Sequence, residues 1–134
     1  MNELHRNFPP VVQADTRLLV LGSLPGAASL AAGRYYAHPR NGFWRLMGDV
    51  LGADVAAMPY EARLETLLAH GVGLWDVVAE GRRQGSLDSA IRDARAHDLA
   101  AFANALPQLR AIAFNGGKAL RLGMRALGPA AARW

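Results

Sequence analysis

The sequence predicts an α/β fold built around a short, mostly parallel sheet, and two observations carry that prediction. Three apolar runs of strand length alternate with longer segments whose apolar residues recur at helical spacing. Polar or glycine-rich turns follow each run, as expected where a parallel strand leads into its crossover helix. The 134 residues suffice for one compact domain with a substantial core.

The first predicted strand covers residues 17–21 and is apolar without alternation, which is typical of a strand covered on both faces. It leads into the turn-rich segment 22–26, and we expect a short helix over residues 27–32 that stops at Gly33. A second helix is predicted where apolar residues share one face at a period of 3.6, namely Phe43, Trp44, Met47, Val50 and Leu51.

Pro59 opens the third predicted helix, because proline is favoured at the first helical position. Its inward residues are expected to be Leu64, Leu67 and Leu68. Gly71 lies beyond the end of this helix and separates it from the next apolar run.

The second predicted strand covers residues 72–75 and ends at a polar residue, Asp76. Glycine and charged residues follow, so we expect a loop around Arg82 and Arg83. A helix start is expected at residues 86–88, which read Ser-Leu-Asp.

Asp98 is the expected N-cap of a helix that stops at Pro107. The third predicted strand covers residues 110–114 and ends at a turn, 115–117. A basic helix is expected from Lys118 onwards.

The composition excludes several classes of protein. The chain has no cysteine, which rules out disulfides, thiolate metal sites, iron–sulfur clusters and cysteine nucleophiles. It has no apolar run long enough to span a bilayer, and its first residues lack an apolar signal core. We therefore expect a cytoplasmic protein without a membrane partner.

The charge pattern points towards an anionic partner. The net charge is +4 with a sequence pI of 10.3, and every basic residue except Lys118 is an arginine. Residues 99–134 contain basic residues but no acidic ones. Surfaces that carry only positive charge are typical of phosphate binding. Two alternatives are open: a GC-rich genome also enriches arginine, and a solvated helix face can also be basic.

Three polar loops follow the predicted strands, and parallel strands bring their carboxyl ends to one edge of a sheet. Residues 22–26, Asp76 and residues 115–118 are therefore expected to meet in one crevice, where ligands of open parallel sheets bind. Segment 22–26 matches neither a Walker A loop nor G-x-G-x-x-G, and an ordinary strand-to-helix turn is an alternative interpretation.

The segment 33–44 is the most informative, because it combines aromatic, basic and amide side chains. Tyr36 is suited to stacking on a base, and the arginines of the segment to holding phosphates. Asn41 is suited to orienting a water or reading a base edge, with a helix N-cap as the alternative. Phe43 and Trp44 are expected in the core.

Two blocks, GSLPG at residues 22–26 and YYAHPRNGFW at residues 35–44, together resemble the uracil-DNA glycosylase superfamily. Within it, the chain is most similar to the hypoxanthine-DNA glycosylases. Residues 74–77, 85–89 and 114–119 support the resemblance, which extends over essentially the whole chain.

The resemblance implies a three-layer α/β/α domain that flips a deaminated base out of DNA and hydrolyses its N-glycosidic bond. The base would be hypoxanthine, with uracil or xanthine as further substrates. It implies no metal and no cofactor, a monomer, and DNA as the partner. The absence of cysteine argues against the branches of the superfamily that carry an iron–sulfur cluster.

The resemblance also implies roles for individual residues. Leu24 stands where much of the superfamily has the Asp or Asn that positions water, so the catalytic role moves to Asn41. Tyr36 would stack on the flipped base, while Gly22 and Ser23 would offer backbone contacts to it. Leu24 is also expected among the residues that bind the base.

Asp76 and Asn115 are the candidates for reading the edge of the base. The alternatives are helix capping or an ion pair with Arg82 or Arg83 for Asp76, and a turn for Asn115. The residues expected at DNA phosphates are Arg34, His38, Arg40 and Lys118, and His38 would otherwise order its loop.

One departure from the family lies at the end of the chain. Nothing after Lys118 matches the family's last strand and the loop that wedges into DNA, so residues 1–134 are expected to form a single glycosylase domain without them. Two other functions stay open at this point: a non-catalytic DNA- or nucleotide-binding α/β module, and an unrelated α/β enzyme acting on a small molecule.

Overall fold

The structure is a computed structural model that describes residues 3–83 and 91–134. The strands are β1 (Glu3–Arg6), β2 (Leu18–Gly22), β3 (Val72–Asp76), β4 (Val78–Arg83), β5 (Arg92–Ala96) and β6 (Ala111–Phe114). The α-helices are α1 (Ala27–Ala32), α2 (Phe43–Leu51), α3 (Tyr60–Ala69), α4 (Leu99–Asn104) and α5 (Gly117–Leu127). Short 3-10 helices cover Val55–Ala57 and Gly128–Arg133. The predicted helix start at residues 86–88 lies outside the described residues.

The central sheet is parallel throughout, in the order β3-β2-β6. Val20 in the middle strand pairs with Leu74 on one side and with Ala113 on the other. The carboxyl ends of the three strands therefore lie at one edge, where Gly22 pairs with Asp76. The three predicted strands and their parallel arrangement are confirmed.

Helices cover both faces of this sheet, which confirms the three-layer α/β/α arrangement. On one face, Leu19 and Leu21 pack against α4 and α5. On the other face, Val20 packs against α2 and α3. All three of these β2 side chains are buried, which explains why the strand is apolar without alternation.

A second sheet is antiparallel, in the order β1-β4-β5, and the sequence analysis missed it. The loop predicted around Arg82 and Arg83 is in fact the end of β4. These strands are rich in charge and lack an apolar pattern. Glu80 of β4 instead accepts hydrogen bonds from Arg95 Nε at 3.1 Å and Arg6 Nε at 3.2 Å, its partners on the two neighbouring strands. These bonds hold the pKa of the Glu80 carboxyl below its usual value.

The helices follow the predictions with one correction. In α2, Phe43, Trp44 and Met47 are buried as expected, but Val50 is 66% exposed. Val50 lies in the last turn, where Leu51 contacts the cluster instead. In the other layer, Asp98 caps α4 as predicted, with its Oδ1 accepting from the Ala101 N–H at 3.2 Å.

Within the described ranges, no helix combines the length and apolarity needed to cross a bilayer. Strand β6 pairs with β2 alone among the described strands. The absence of the family's last strand and wedge loop stays a prediction.

His97 links the two sheets. Its ring stacks on the Trp75 ring at 3.8 Å between centroids, and its Nε2 lies 3.1 Å from Asn7 Oδ1. Burial lowers the pKa of the imidazole below its ordinary value, and the positive charge of Arg95 lowers it further.

We expect the free energy of unfolding to fall as the pH drops below about 6.5, the ordinary histidine pKa, because the unfolded chain then takes up a proton that folded His97 resists. Urea unfolding at pH 7.5 and pH 5.5 measures this. The fall should be smaller in His97→Gln, which does not titrate. An equal fall in both proteins would contradict the assignment.

Candidate functional site

A cleft of about 420 Å³ lies at the carboxyl edge of the parallel sheet, where the sequence analysis placed it. The predicted site residues that line it are Gly22, Ser23, Leu24, Tyr36, His38, Arg40, Asn41, Asp76 and Asn115. The structure therefore brings together the segment after β2, the end of β3, the turn after β6 and the segment 36–41.

The backbone of the segment 22–26 is hydrogen-bonded to the chain that follows β3. The Val77 N–H donates to the Gly22 carbonyl at 2.8 Å, and the Val78 N–H donates to the Ser23 carbonyl at 3.0 Å. Arg83 Nη2 donates to the Pro25 carbonyl at 2.5 Å. Three carbonyl groups of this segment thus accept hydrogen bonds from residues 77–83, which fixes its backbone beside the cleft.

Arg83 is the main functional candidate that sequence reasoning missed. Its side chain is 1% exposed, although arginine is rarely buried in this way. His5 Nε2 lies 3.0 Å from its carbonyl oxygen and ties the end of β4 to β1. A charged strand offers no apolar alternation, so no local pattern distinguished this arginine from its exposed neighbour Arg82.

Gly22 provides the space in which two functional groups approach the backbone. A Cβ at this position would lie 2.9 Å from Asp76 Oδ1 and 3.2 Å from the Tyr36 hydroxyl. The φ angle of Gly22 is not in the left-handed region, so the glycine is needed for space rather than for conformation.

Tyr36 is held in an unusual backbone conformation. Among the described residues it is the one non-glycine residue with a positive φ, of 53°. A left-handed conformation costs about 1–2 kcal/mol for such a residue. One face of its ring stacks on Phe43, with 3.8 Å between centroids. The ring is therefore a fixed wall of the cleft, and strain of this kind is typical of functional sites.

Asp76 is 3% exposed at the end of β3. It does not cap a helix, as one alternative proposed, because β4 begins two residues later. Its charge contributes to the raised pKa of buried Tyr35, after the larger effect of burial itself. Tyr35 therefore stays neutral, and its hydroxyl donates to the Pro9 carbonyl at 3.3 Å.

Asn41 is exposed at the mouth of the cleft. Its Oδ1 accepts from the Phe43 N–H at 2.9 Å, so the alternative role at the start of α2 is present in the structure. An amide oxygen has a second lone pair, and the amide nitrogen carries two further donors. This geometry leaves Asn41 able to hold a water or a base edge as well.

His38 orders the segment in which it lies. Its Nδ1 accepts from the Arg40 N–H at 3.0 Å, and its carbonyl accepts from the Asn41 N–H at 2.9 Å. The neutral ring then carries its proton on Nε2, which makes the exposed edge a donor.

The other predicted site residues are Leu24, Asn115, Arg34 and Lys118, and only the first two line the cleft. Leu24 packs its side chain with Val78 and Ile91, as an apolar residue should. Asn115 is exposed, and its N–H donates to the Leu21 carbonyl. Arg34 and Lys118 do not line this cleft.

Arg34 lies over the Tyr60 ring, 5.3 Å from its centroid, in a neighbouring groove. Lys118 is half-buried in the first turn of α5. The cleft also contains Ser29, which sequence reasoning did not single out. The Ser29 Oγ is buried and accepts from the Ala37 N–H at 3.0 Å, so it supports the segment 36–41.

The cleft combines one buried carboxylate, one fixed aromatic ring, a glycine-rich segment and an amide at its mouth. Such a set is suited to a flat ring that presents an N–H group. In the part of the chain that the structure describes, no three His, Cys, Asp or Glu residues are grouped as a metal site would need.

Comparison with known proteins gives a consistent result. Residues 9–133 match the family described as the Uracil DNA glycosylase superfamily. The chain is 42% identical over 113 residues to a Methanosarcina barkeri protein named hypoxanthine DNA glycosylase, over 84% of this chain and 72% of the relative. It is 44% identical over 116 residues to a Methanosarcina acetivorans protein of the same name, over 87% of this chain and 73% of that one.

A solved structure is also similar. It is a solution NMR structure of a Methanosarcina acetivorans protein provisionally described as a uracil DNA glycosylase. The TM-score is 0.83 at 41% sequence identity, and the match covers 94% of this chain and 80% of that one.

We expect Arg83→Met to loosen the segment 22–26, because the Pro25 carbonyl loses a charged donor whose bond is worth about 1.5–3 kcal/mol. Amide hydrogen exchange at Leu24 and Gly26 should accelerate about tenfold or more. The matched control is Arg82→Met, which removes the same charge from the adjacent, exposed position. Equal exchange rates in the two variants would contradict the role of Arg83.

Proposed function

Because the chain belongs to the uracil DNA glycosylase superfamily, we propose that it removes hypoxanthine, the deaminated form of adenine, from DNA. The two relatives named hypoxanthine DNA glycosylase support an enzyme of the DNA glycosylase class. The observation that carries a deaminated base as the substrate, rather than adenine, is the buried Asp76 carboxylate beside Gly22 and Tyr36. The names of the two relatives favour hypoxanthine among the deaminated bases.

The base must leave the duplex to reach this carboxylate. Asp76 lies at the bottom of a cleft between loops, and the glycosidic bond is not accessible inside a stacked helix. We expect the flipped base to lie against the Tyr36 ring, whose opposite face rests on Phe43. The backbone of Gly22 and Ser23 lines the same space, and Asn115 at the rim is a second group able to contact a base edge.

Asp76 separates hypoxanthine from its parent base by hydrogen-bond chemistry. An ionised carboxylate only accepts hydrogen bonds. Deamination converts N1 of adenine from an acceptor into an N–H donor. The Asp76 carboxylate can therefore accept a hydrogen bond from N1 of hypoxanthine, whereas it repels the lone pair on N1 of adenine. Uracil and xanthine also present ring N–H groups, and both are further candidate substrates.

Hydrolysis then needs a positioned water. We expect Asn41 to hold this water through its side-chain amide, because the side chain of Leu24 is apolar and offers water no hydrogen bond. The water oxygen bonds to C1′ of the sugar while the bond from C1′ to the base nitrogen breaks. The bonding pair leaves with the base, and the water's second proton ends on the base or in solvent. Nearby DNA phosphates stabilise the positive charge that develops on the sugar.

Basic side chains at the rim are suited to the DNA backbone. Arg40 and the Nε2–H edge of His38 lie at the cleft mouth. Lys118 lies outside the cleft lining, in the first turn of α5, and is a further candidate for a phosphate contact. We further propose a monomer that acts in the cytoplasm and needs neither metal nor cofactor for this hydrolysis.

A non-catalytic DNA-binding module is the second candidate, and one observation favours it. Leu24 occupies the position at which much of the superfamily has a polar water-positioning residue, and its side chain is buried among apolar neighbours. Binding of DNA without release of any base would distinguish this candidate from the first.

We expect abasic product from duplexes that carry deoxyinosine, at a higher rate than from deoxyuridine or deoxyxanthosine and with none from deoxyadenosine. Alkaline cleavage of the abasic strand on a denaturing gel measures each rate. Product from none of the lesions, with DNA binding intact, would leave the binding module as the function.

Asn41→Ala should lower the single-turnover rate by about 100-fold or more, the usual cost of removing one positioned polar group, and change the DNA Kd little. Asn41→Asp is the matched control, because it retains an oxygen for the Phe43 N–H and a group able to hold water. We expect it to stay active. Near-normal turnover of Asn41→Ala would overturn the assignment.

A further inference from the structure

A second groove of about 490 Å³ lies beside the cleft. The two share Tyr35, Tyr36, His38 and Asn41, so the segment 35–41 forms the ridge between them. We name the second one the arginine groove, after the three arginines that line it, Arg34, Arg45 and Arg63.

Arg63 is held in place before any ligand arrives. Its Nε donates to the Met58 carbonyl at 2.9 Å, and its Nη2 donates to the Ala56 carbonyl at 3.0 Å. Its guanidinium lies over the Trp44 ring, 5.5 Å from the centroid. Arginine has five N–H donors, so these two bonds leave further donors on a group whose position is already fixed.

Arg34 is supported in a similar way on the other side of the groove. It lies over the ring of Tyr60, whose hydroxyl accepts from the Tyr35 N–H at 2.9 Å. Arg45 extends from the exposed side of α2. No aspartate or glutamate is among the described residues that line the groove, so its lining is positive without compensation.

The arrangement favours phosphates over bases as the occupant. Arg34 and Arg63 already cover faces of Tyr60 and Trp44, so those ring faces are not available to stack on a base. A guanidinium binds phosphate oxygens in a bidentate manner. The groove therefore offers charge and hydrogen-bond donors, as a path for a nucleic-acid backbone requires.

We propose that the arginine groove holds phosphates of the DNA strand that carries the excised base, next to the flipped nucleotide. This inference rests on the proposed function of the cleft. A nucleotide whose base occupies the cleft has its neighbouring phosphates just outside, and the ridge 35–41 leads directly into the arginine groove.

The first test is the salt dependence of DNA binding between 50 and 200 mM salt. Arg45→Gln and Arg63→Gln should each reduce the slope of log K against log salt by about 0.7–0.9, which is the loss of one phosphate contact. Arg110→Gln is the matched control, an exposed arginine just before β6, at the opposite edge of the sheet from the cleft. Arg45 is exposed on α2, so its variant gives a result even if Arg63→Gln fails to fold.

The second test locates the strand. Single phosphates within three nucleotides of a deoxyinosine are replaced by neutral methylphosphonates, on the lesion strand or on the opposite strand. On the lesion strand, one methylphosphonate should lower the DNA affinity of the wild-type protein several-fold. It should lower the affinity of Arg45→Gln little further, because both changes remove the same contact. On the opposite strand the two losses should multiply.

The inference is wrong if the affinity losses from the methylphosphonate and from Arg45→Gln multiply on both strands. It is also wrong if Arg110→Gln and Arg45→Gln give the same salt slope. Salt slopes unchanged by both groove variants would also overturn it and would leave an acidic protein partner as the occupant. Binding is measured without turnover, so a protein that releases no base from any lesion, yet shows the coupling to Arg45, would refute the proposed reaction and not the groove.

Discussion

Gly22 has no side chain, and the site depends on the space that this leaves. Asp76 comes from the neighbouring strand and Tyr36 from the segment before α2, yet both place an oxygen within about 3 Å of where a Cβ would lie. The carboxylate and the ring can therefore face one small volume at the end of the sheet. We propose that this volume receives the base, with the carboxylate at its edge and the ring on its face.

The rest of the structure maintains that convergence at some energetic cost. Tyr36 adopts a left-handed backbone conformation that its stacking on Phe43 and the bond from Ala37 to Ser29 help to hold. Arg83 of the second sheet is buried and anchors the segment 22–26 through the Pro25 carbonyl. Burying a charge without partners would be costly, and the bond to the Pro25 carbonyl offsets part of that cost.

The parts of the fold that follow simple periodicity were predictable from the sequence, and the charged sheet was not. The parallel strands appear as unbroken apolar runs because helices cover both faces of the sheet. Because the strands run in the same direction, Asp76, Asn115 and the segment 22–26 could be placed at one edge. Glu80 of β4 accepts hydrogen bonds from Arg6 of β1 and Arg95 of β5, and such bonds between separate strands leave no signal in a local window of sequence. The buried state of Arg83 escaped prediction for the same reason, and Arg34 joined a groove that only the folded chain forms.

The most direct test of this account is the single-turnover rate of deoxyinosine excision by Gly22→Ala compared with Gly42→Ala. An added Cβ at Gly22 would displace Asp76 and Tyr36, whereas one at Gly42 meets no atom within 4 Å. We expect Gly22→Ala to fold, because its φ is not in the left-handed region, and to lose about 10-fold or more in rate. The added Cβ forces both oxygens to move, and a misplacement of about 1 Å can cost about 100-fold. Gly42→Ala should retain the wild-type rate. A Gly22→Ala protein that excises hypoxanthine as fast as wild type would contradict the account.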